Sequence, residues 1–338
     1  MPGIRNRLLV GGPIVALVLA LLGWAASRAL DPERRALRVE GVGAAASEHG
    51  AASSTTVGRD AASGGPTGIG AAAPALPDAV FTDEDVAIFR ERMAWARAER
   101  LDTLPLGEIV ARLGRTFVGT PYVAHTLEVD GPERLVINLR GLDCVTFVES
   151  TLAMARLIRA GSDDFEDFKR ELARIRYRGG VIDGYTSRLH YFSDWIADGE
   201  RKGLVFELAD VLDAVPDPEP VDFMSSNPDA YRQLADPSNL AAIRRVEAGL
   251  SSRPRRYVPQ DRIAAVEDRI RNGDIIAATS TVRGLDVAHT GIAIWIDGRL
   301  HLLHAPLVGK TVEISEVPLA ERIQGLKGQD GIMVARPS

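Results

Sequence analysis

The chain has 338 residues, of which 46% are hydrophobic and 25% are charged, the composition of an ordinary soluble globular protein. Its formal net charge of −6 excludes the basic footprint of a nucleic-acid-binding protein. Cys144 is the only cysteine, which excludes an intramolecular disulfide framework and a zinc site built from several cysteines.

The N-terminal region has the pattern of an exported protein. Arg5 and Arg7 precede an uncharged run at 8–26, which is near the lower length limit for crossing a bilayer and long for a signal-peptide core. Residues 1–30 are therefore predicted to be a signal or a membrane anchor, with an uncleaved anchor slightly favoured over cleavage. Because residues 31–80 are rich in Ala, Gly, Ser and Thr, they are predicted to form a disordered linker.

The folded part is predicted to span residues 81–338 and to work in the periplasm or elsewhere outside the cytoplasm. Leu, Val and Ile in 133–141 predict a strand, and 213–260, rich in Pro, Asp, Ser and Arg, is interpreted as an elaborated insertion. Capping residues and helical spacing of apolar residues predict helices at 82–101, 104–114, 144–160, 163–176, 187–199 and 238–250.

The last third of the chain changes to strand patterns. Three apolar runs rich in Ile, Val and Leu occupy 273–280, 287–296 and 299–306. Asp297-Gly298, between the second and third runs, is the strongest short hairpin signal. Helices followed by an antiparallel sheet predict an α+β fold.

The predicted hairpin fixes the positions of three histidines. A two-residue turn places Ile296 opposite Arg299, and side chains alternate between the two faces of a strand. His289 and His304 are then diagonal neighbours on one face, within roughly 7–8 Å at the backbone, whereas His301 points to the other face. The H-x-x-H spacing would suit a metal site on a helix, but on a strand its two side chains cannot reach one ion.

Cys144 follows Asp143, which is the expected N-cap of a helix. The positive end of the helix dipole stabilises a thiolate there and lowers the pKa of the thiol from about 8.5, and free amides at that end can hold an oxyanion. With a histidine as base and a third group to orient it, this arrangement predicts a papain-type nucleophile. The alternative is a buried, inert cysteine that packs as a small hydrophobe.

Five motifs occur in a fixed order along the chain: GTPY at 119–122, LDCVTFVES at 142–150, RNGDIIA at 271–277, VAHTGIAI at 287–294 and LHLLHAP at 300–306. This order resembles that of the NlpC-type, papain-like cysteine hydrolases of bacterial cell walls. The wording LDCVTFVE, together with SRLHYFSDW at 187–195, resembles their N-acetylmuramoyl-L-alanine amidase-like branch. The resemblance covers nearly all of the predicted folded part.

The resemblance implies a papain-like fold, with helices packed on an antiparallel sheet and the catalytic cysteine at a helix N-terminus. It implies Cys144 as the nucleophile, His289 as the general base and His304 as the residue that orients the base. Tyr122 resembles the tyrosine that lines the substrate cleft. Further substrate contacts are expected from Tyr185, Ser187, Arg188 and His190.

The sequence leaves the role of Arg188 open and predicts an altered subsite beside Tyr122. Arg188 either binds a carboxylate of the substrate in a bidentate contact or pairs with a local acid. The family's usual tryptophan and two glycines are replaced by Val123-Ala124-His125-Thr126, so the subsite beside Tyr122 is expected to be reshaped.

The function that the resemblance implies is hydrolysis of the N-acetylmuramoyl-L-alanine amide in peptidoglycan or muropeptides, without a metal or another cofactor. Peptidoglycan fragments are the expected partners, and the membrane is a partner if the N-terminal segment is not cleaved. One alternative is an endopeptidase that cuts within the stem peptide. The other is a catalytically silent module that binds the cell wall.

Overall fold

The computed structural model describes residues 78–307 and 310–338. The predicted signal or anchor at 1–30, and the predicted linker up to residue 77, lie outside the described residues. Within the described ranges, no helix has both the length and the apolar character needed to cross a membrane.

Four of the helices in the described ranges begin at a side-chain cap. The side chains of Thr82, Asp143, Asp164 and Asp236 each accept a hydrogen bond from a first-turn amide. The helices are α1 (Asp83–Ala98), α2 (Leu106–Arg115), α3 (Cys144–Ala160), α4 (Phe165–Arg176), α5 (Phe192–Arg201), α6 (Phe223–Ser226), α7 (Pro237–Ser252), α8 (Ile263–Val266) and α9 (Leu319–Gly325). Short 3-10 turns lie at Leu101–Thr103, Arg178–Gly180, Tyr185–Ser187, Pro228–Ala230, Arg232–Ala235 and Glu267–Arg269.

The strands of the described ranges form one antiparallel sheet in the order β2-β3-β8-β4-β5-β6-β7, and β1 also pairs with β8. Helices packed on this sheet make an α+β fold, as predicted. The strands are β1 (Val205–Glu207), β2 (Val215–Asp217), β3 (Arg255–Pro259), β4 (Ile275–Ser280), β5 (Val287–Ile296), β6 (Arg299–His304), β7 (Glu313–Ile314) and β8 (Gln329–Pro337).

The predicted hairpin is confirmed in its register. Ile296 pairs with Arg299 and Ile294 with His301, as a two-residue turn requires. Both turn residues have positive φ, +49° for Asp297 and +78° for Gly298, which is the conformation of a type I′ turn.

The two faces of the sheet pack against different helices. On one face, Ile292 and Leu303 belong to a core that includes much of α3. On the other face, Ala293 and Leu302 pack with residues of α8 and α9. Because side chains alternate along a strand, His289 and His304 lie on this second face.

The prediction of a strand at 133–141 is wrong. Leu135, Val136 and Ile137 are buried, but among the described residues of the chain only Val136 of these three forms a bridge, with Val80. Side chains bond to other backbone groups of this segment, since Arg176 donates to the Val136 carbonyl at 2.5 Å and the Leu139 amide donates to Asp85 at 2.8 Å. The apolar residues of 133–141 are therefore explained by their burial in the core and not by pairing in the sheet.

The helix predicted at 187–199 begins later than expected. Residues Tyr185–Ser187 form a 3-10 turn, and α5 starts only at Phe192. Arg188 is extended instead of helical, because its amide bonds to Tyr185 and the Leu189 amide bonds to Arg176. Arg188 therefore does not stand at a helix start.

The segment 213–260 contributes directly to the sheet. It contains β2, β3 and the helix predicted at 238–250, which the structure extends to Pro237–Ser252 as α7. Strand β3 pairs with β8, and the Tyr191 hydroxyl donates to Glu247 of α7 at 2.7 Å. The start of α5 and the segment thus share a buried hydrogen bond.

Candidate active site

Cys144 is the first residue of α3, and Asp143 caps this helix as predicted. The Asp143 carboxylate accepts the amides of Val145 at 3.0 Å and Thr146 at 2.7 Å, and the Thr146 hydroxyl accepts the Asp143 amide at 2.9 Å. This capping box occupies the first-turn amides that we expected to be free. The amide of Cys144 itself is not among those that the cap occupies.

The expectation of a lowered thiol pKa is wrong for the free protein. Burial raises the pKa of Cys144 to about 12, and the negative charge of Asp143 adds to the shift. The nearby backbone amides of Thr290, Cys144 and Val145 act in the opposite direction but are outweighed. The helix N-terminus therefore stabilises the thiolate less than its desolvation destabilises it.

The thiol of Cys144 meets the sheet at the amide of Thr290, the residue that follows His289 in β5. The thiol is half-buried, and the structure has no hydrogen bond between its sulfur and the His289 ring. In hydrolases without substrate, the bond between nucleophile and base is often long and closes only in the complex.

His289 and His304 form a buried pair, as the hairpin register predicts. Nε2 of His289 lies 2.8 Å from Nδ1 of His304, and the two rings are nearly perpendicular, with centroids 4.9 Å apart. His301 lies on the opposite face, where its Nδ1 is 2.8 Å from the Ser315 carbonyl. Because of this strand pairing, His304 lies on the same face as His289, and His301 does not.

Both paired histidines are held neutral. Burial lowers the pKa of His289 to about 3, with a smaller contribution from the charge of Arg322. Burial lowers the pKa of His304 to about 2, and the charges of His289, Arg322 and Lys310 reinforce the shift. At neutral pH, one of the two bonded nitrogens therefore donates and the other accepts.

Tyr122 lies beside the start of α3. It forms a bridge with Leu142, whose amide donates to the Pro121 carbonyl at 3.0 Å. Burial raises the pKa of the Tyr122 hydroxyl, and the charges of Cys144 and Asp143 raise it further. The phenol therefore keeps its proton and can act as a donor close to the thiol.

Tyr185 and His190 line a cleft of about 190 Å³. Their rings pack against each other at 4.3 Å, and His190 Nε2 lies 2.9 Å from the Tyr185 carbonyl. His125, on the same cleft, has a φ of +61°, which is strained for a residue other than glycine. Because His125 lies three positions after Tyr122, roughly 11 Å at most lie between their backbones.

The structure does not bring Ser187 and Arg188 into that cleft. Ser187 faces a separate groove, where its hydroxyl donates to the Gly184 carbonyl at 2.7 Å. Arg188 is buried and pairs with Glu128 at 2.8 Å and Glu133 at 3.3 Å. These contacts favour the alternative in which Arg188 pairs with local acids.

Sequence reasoning missed several residues that line the cleft. Glu128 lies in a polar loop, and Tyr231 and Gln233 come from the 213–260 segment. No local pattern distinguishes these residues, because they approach the cleft only through long-range packing. Among residues 78–307 and 310–338, no group of three or more His, Cys, Asp or Glu side chains is placed to hold a metal ion.

The family of the chain is shown by its match to a known family model. Residues 112–331 match the AmiA-like model, described as N-acetylmuramoyl-L-alanine amidase-like. The chain belongs to this family. The matched range includes Cys144, His289 and His304. In a separate comparison, none of the curated proteins matches the chain.

Solved structures related to this amidase-like chain carry different names. A crystal structure of an N-acetylmuramoyl-L-alanine amidase from Bacteroides uniformis is 41% identical, with a TM-score of 0.66, over 69% of this chain and 99% of the other. A Bacteroides fragilis protein described as a candidate xylanase is 44% identical, with a TM-score of 0.63, over 66% and 98%. A Legionella pneumophila protein at 20% identity, with a TM-score of 0.56 over 75% and 95%, shares the fold.

Proposed function

We propose that this protein is a cysteine hydrolase of peptidoglycan fragments that cleaves the amide between N-acetylmuramic acid and L-alanine. The observation that carries the proposal is the His289–His304 pair, bonded at 2.8 Å, on the strand whose next residue, Thr290, places its backbone at the thiol of Cys144. Membership of the amidase-like family supports the substrate class. Membership of this family also supports a location outside the cytoplasm. We further propose, from the order of its five motifs, that the chain belongs to the NlpC-type, papain-like hydrolases.

The reaction needs one proton carrier. As the sulfur of Cys144 attacks the amide carbonyl, its proton passes to Nδ1 of His289, and the resulting imidazolium protonates the leaving amine. The C–N bond breaks and an acyl thioester remains. His289 then takes a proton from water, whose oxygen attacks the thioester and releases the muramoyl acid and the thiol.

The negative oxygen of the tetrahedral intermediate requires donors. We assign this role to the Cys144 amide and the Tyr122 hydroxyl, because the Val145 and Thr146 amides are engaged by Asp143. The raised pKa of Tyr122 keeps its hydroxyl available as a donor at neutral pH.

The name xylanase carried by one relative implies a different chemistry. Glycoside hydrolases commonly use two carboxyl groups that flank the scissile bond. Here the reactive groups are a thiol and two imidazoles, and the nearby carboxylate of Asp143 is engaged in the helix cap. This composition favours acyl transfer over glycoside hydrolysis.

An endopeptidase that cuts within the stem peptide is the second candidate. The replacement of Trp-Gly-Gly by Val123-Ala124-His125-Thr126 favours the amidase, because it removes the wall of the peptide-cutting relatives and leaves room for a sugar. We assign the cleft lined by Tyr185 and His190 to the substrate, with Arg188 acting through Glu128, and we do not assign a substrate contact to Ser187, which faces a separate groove.

The deciding experiment is incubation with a defined disaccharide-tetrapeptide, followed by mass spectrometry of the products. Free disaccharide together with an intact tetrapeptide that starts with L-alanine supports the amidase. A disaccharide that still bears L-Ala-D-Glu supports the endopeptidase. Binding without turnover supports the wall-binding module, and Cys144→Ala is the matched control for contaminating activity.

A further inference from the structure

One nitrogen of the histidine pair is left without a partner. His304 is only 1% exposed, so its Nε2 is buried. No described residue forms a hydrogen bond to this nitrogen. A buried polar atom without a partner costs about 1–3 kcal/mol. Such an atom in a candidate active site therefore needs an explanation.

The geometry of the sheet indicates the direction in which this nitrogen points. Nδ1 of His304 faces β5, where it meets Nε2 of His289. The two nitrogens lie on opposite sides of an imidazole ring, so Nε2 points away from β5. Strand β7 is the neighbour of β6 on that side, and Glu313 is the residue directly opposite His304.

The distance suits a hydrogen bond after one side-chain rotation. Directly opposed residues of antiparallel strands have Cβ atoms about 4.5–5.5 Å apart and project from the same face. In this structure Glu313 is half-buried. Burial lowers the pKa of Arg322, and the negative charge of Glu313 opposes this shift. Glu313 therefore interacts with Arg322, and the charge of Arg322 in turn acts on His304.

The tautomer required for catalysis decides what kind of partner Nε2 needs. For Nδ1 of His289 to accept the thiol proton, its Nε2 must carry a hydrogen and donate it to Nδ1 of His304. His304 then carries its own hydrogen on Nε2, which requires an acceptor. Arg322 and Lys310 offer only donors, whereas Glu313 offers carboxylate oxygens.

We propose that Glu313 is a positioning residue that accepts the Nε2 hydrogen of His304 and so fixes the tautomers of both histidines. This inference rests on the proposed function, because it assumes that His289 is the base. Glu313 does not touch the substrate. Its negative charge stabilises the imidazolium that forms on His289, and Arg322 holds the carboxylate when the pair is neutral.

The test compares Glu313→Leu, which removes the acceptor and the charge, with Glu313→Gln, which keeps an acceptor. Glu316→Gln, an exposed carboxylate three residues away, is the matched control. Two experiments are made: steady-state kinetics on the disaccharide-tetrapeptide give kcat and KM, and ¹⁵N NMR gives the histidine tautomers. The NMR measurement does not depend on any activity, so it tests Glu313 even if the proposed substrate is wrong.

We expect His304 to be protonated on Nε2 in the wild-type protein and in Glu316→Gln, and to lose this preference in Glu313→Leu. We expect kcat of Glu313→Leu to fall about ten-fold or more at unchanged KM, with partial recovery in Glu313→Gln, by analogy with partners that orient histidine ligands. An unchanged His304 tautomer in folded Glu313→Leu overturns the proposal, whatever the activity. If Glu313→Leu does not fold, Glu313→Ala, which also removes the acceptor, takes its place, and an unchanged His304 tautomer in that folded variant overturns the proposal.

Discussion

At the scale of single residues, the site balances two opposing effects on Cys144. The helix start and three amides favour a thiolate, while burial and the charge of Asp143 oppose it, and burial prevails. The paired histidines are neutral for the same reason. In the proposed mechanism, the thiol and the base are therefore both neutral in the resting protein, and charge develops only as the sulfur attacks.

This balance predicts how Cys144 reacts with iodoacetamide in the absence of substrate. Since only the thiolate reacts, and the pKa of Cys144 is raised to about 12, alkylation at pH 7 should be much slower than for a free cysteine. The rate should still be rising above pH 9, with N-acetylcysteine as the reference. A plateau below pH 8 would show that the thiolate is preformed as an ion pair.

The two histidines of β6 give a matched pair of variants. His304→Ala removes the partner of His289 and should lower kcat about 100-fold, the low end of what a positioned base contributes. His301→Ala removes only the bond to the Ser315 carbonyl and should keep kcat within about two-fold. Thermal unfolding of both variants controls for folding, and equal losses of kcat in two folded proteins would contradict these assignments.

Much of the residue-scale geometry follows from the sequence because it is local. A two-residue Asp-Gly turn and strand alternation are enough to place His289 beside His304 and His301 on the other face. The partners of Arg188 could not be predicted in this way, because Glu128 and Glu133 lie more than fifty positions earlier. The raised pKa of Cys144 also depends on burial that a helix-start pattern does not reveal.

At the scale of elements, Gly291 lets β5 and β6 approach closely beside the histidines. A Cβ added at this position would lie 2.7 Å from the Leu303 carbonyl oxygen, 2.9 Å from Leu302 Cδ1 and 3.0 Å from His304 Cβ. Two of these three neighbours are backbone or near-backbone atoms, which cannot move aside without shifting the strand.

Gly291→Ala should therefore lower the free energy of unfolding by about 1–3 kcal/mol and displace His304. Gly249→Ala is the matched control, because an added Cβ meets nothing within 4 Å on the exposed side of α7 and should stabilise that helix by about 0.5–1 kcal/mol. Urea unfolding measures both. Equal stability of Gly291→Ala and the wild type would contradict the close approach of the two strands.

Elements with strong local signals were predicted well, and those shaped by distant contacts were not. Helices α1, α3 and α4 carry side-chain caps that the sequence displays. The segment 133–141 has the composition of a strand, yet Arg176 and Asp85 take over the backbone bonds that a neighbouring strand would provide. The start of α5 is delayed because Leu189 bonds to Arg176 instead.

At the scale of the whole molecule, the C-terminal strand β8 lies near the middle of the sheet, between β3 and β4. Nothing in the local pattern of 329–337 indicates this position, which depends on pairing across long stretches of chain. The 213–260 segment is likewise integrated through β3, whose partner lies more than seventy positions later.

Burial of neutral histidines predicts how stability depends on acidity. Burial lowers the pKa of His190 to about 3, whereas an unfolded histidine titrates near 6.5. Between these pH values the unfolded chain binds the additional proton, so this contribution to stability is complete above pH 6.5 and is lost as the pH falls towards 3. The slope is about 1.4 kcal/mol per pH unit for each such group.

The cleanest measurement is the difference between two proteins, because carboxylates titrate in both and cancel. Urea unfolding of the wild type and His190→Gln at pH 7, 6, 5 and 4 should show that the variant loses less stability on acidification. Parallel stability curves across this range would contradict the assignment of His190 as a half-buried histidine that is neutral in the folded protein.

The central claim, that Cys144 is the nucleophile of a peptidoglycan amidase, is tested most directly by trapping the acyl-enzyme. The wild-type protein is mixed with a disaccharide-tetrapeptide, quenched in acid within milliseconds to seconds, and digested for peptide mass mapping. We predict that the peptide containing Cys144 carries the disaccharide as a thioester, bound through the lactyl carbonyl of its N-acetylmuramic acid. We predict neither adduct nor turnover in Cys144→Ala. Continued turnover by folded Cys144→Ala, with no adduct on the wild-type protein, would contradict the account.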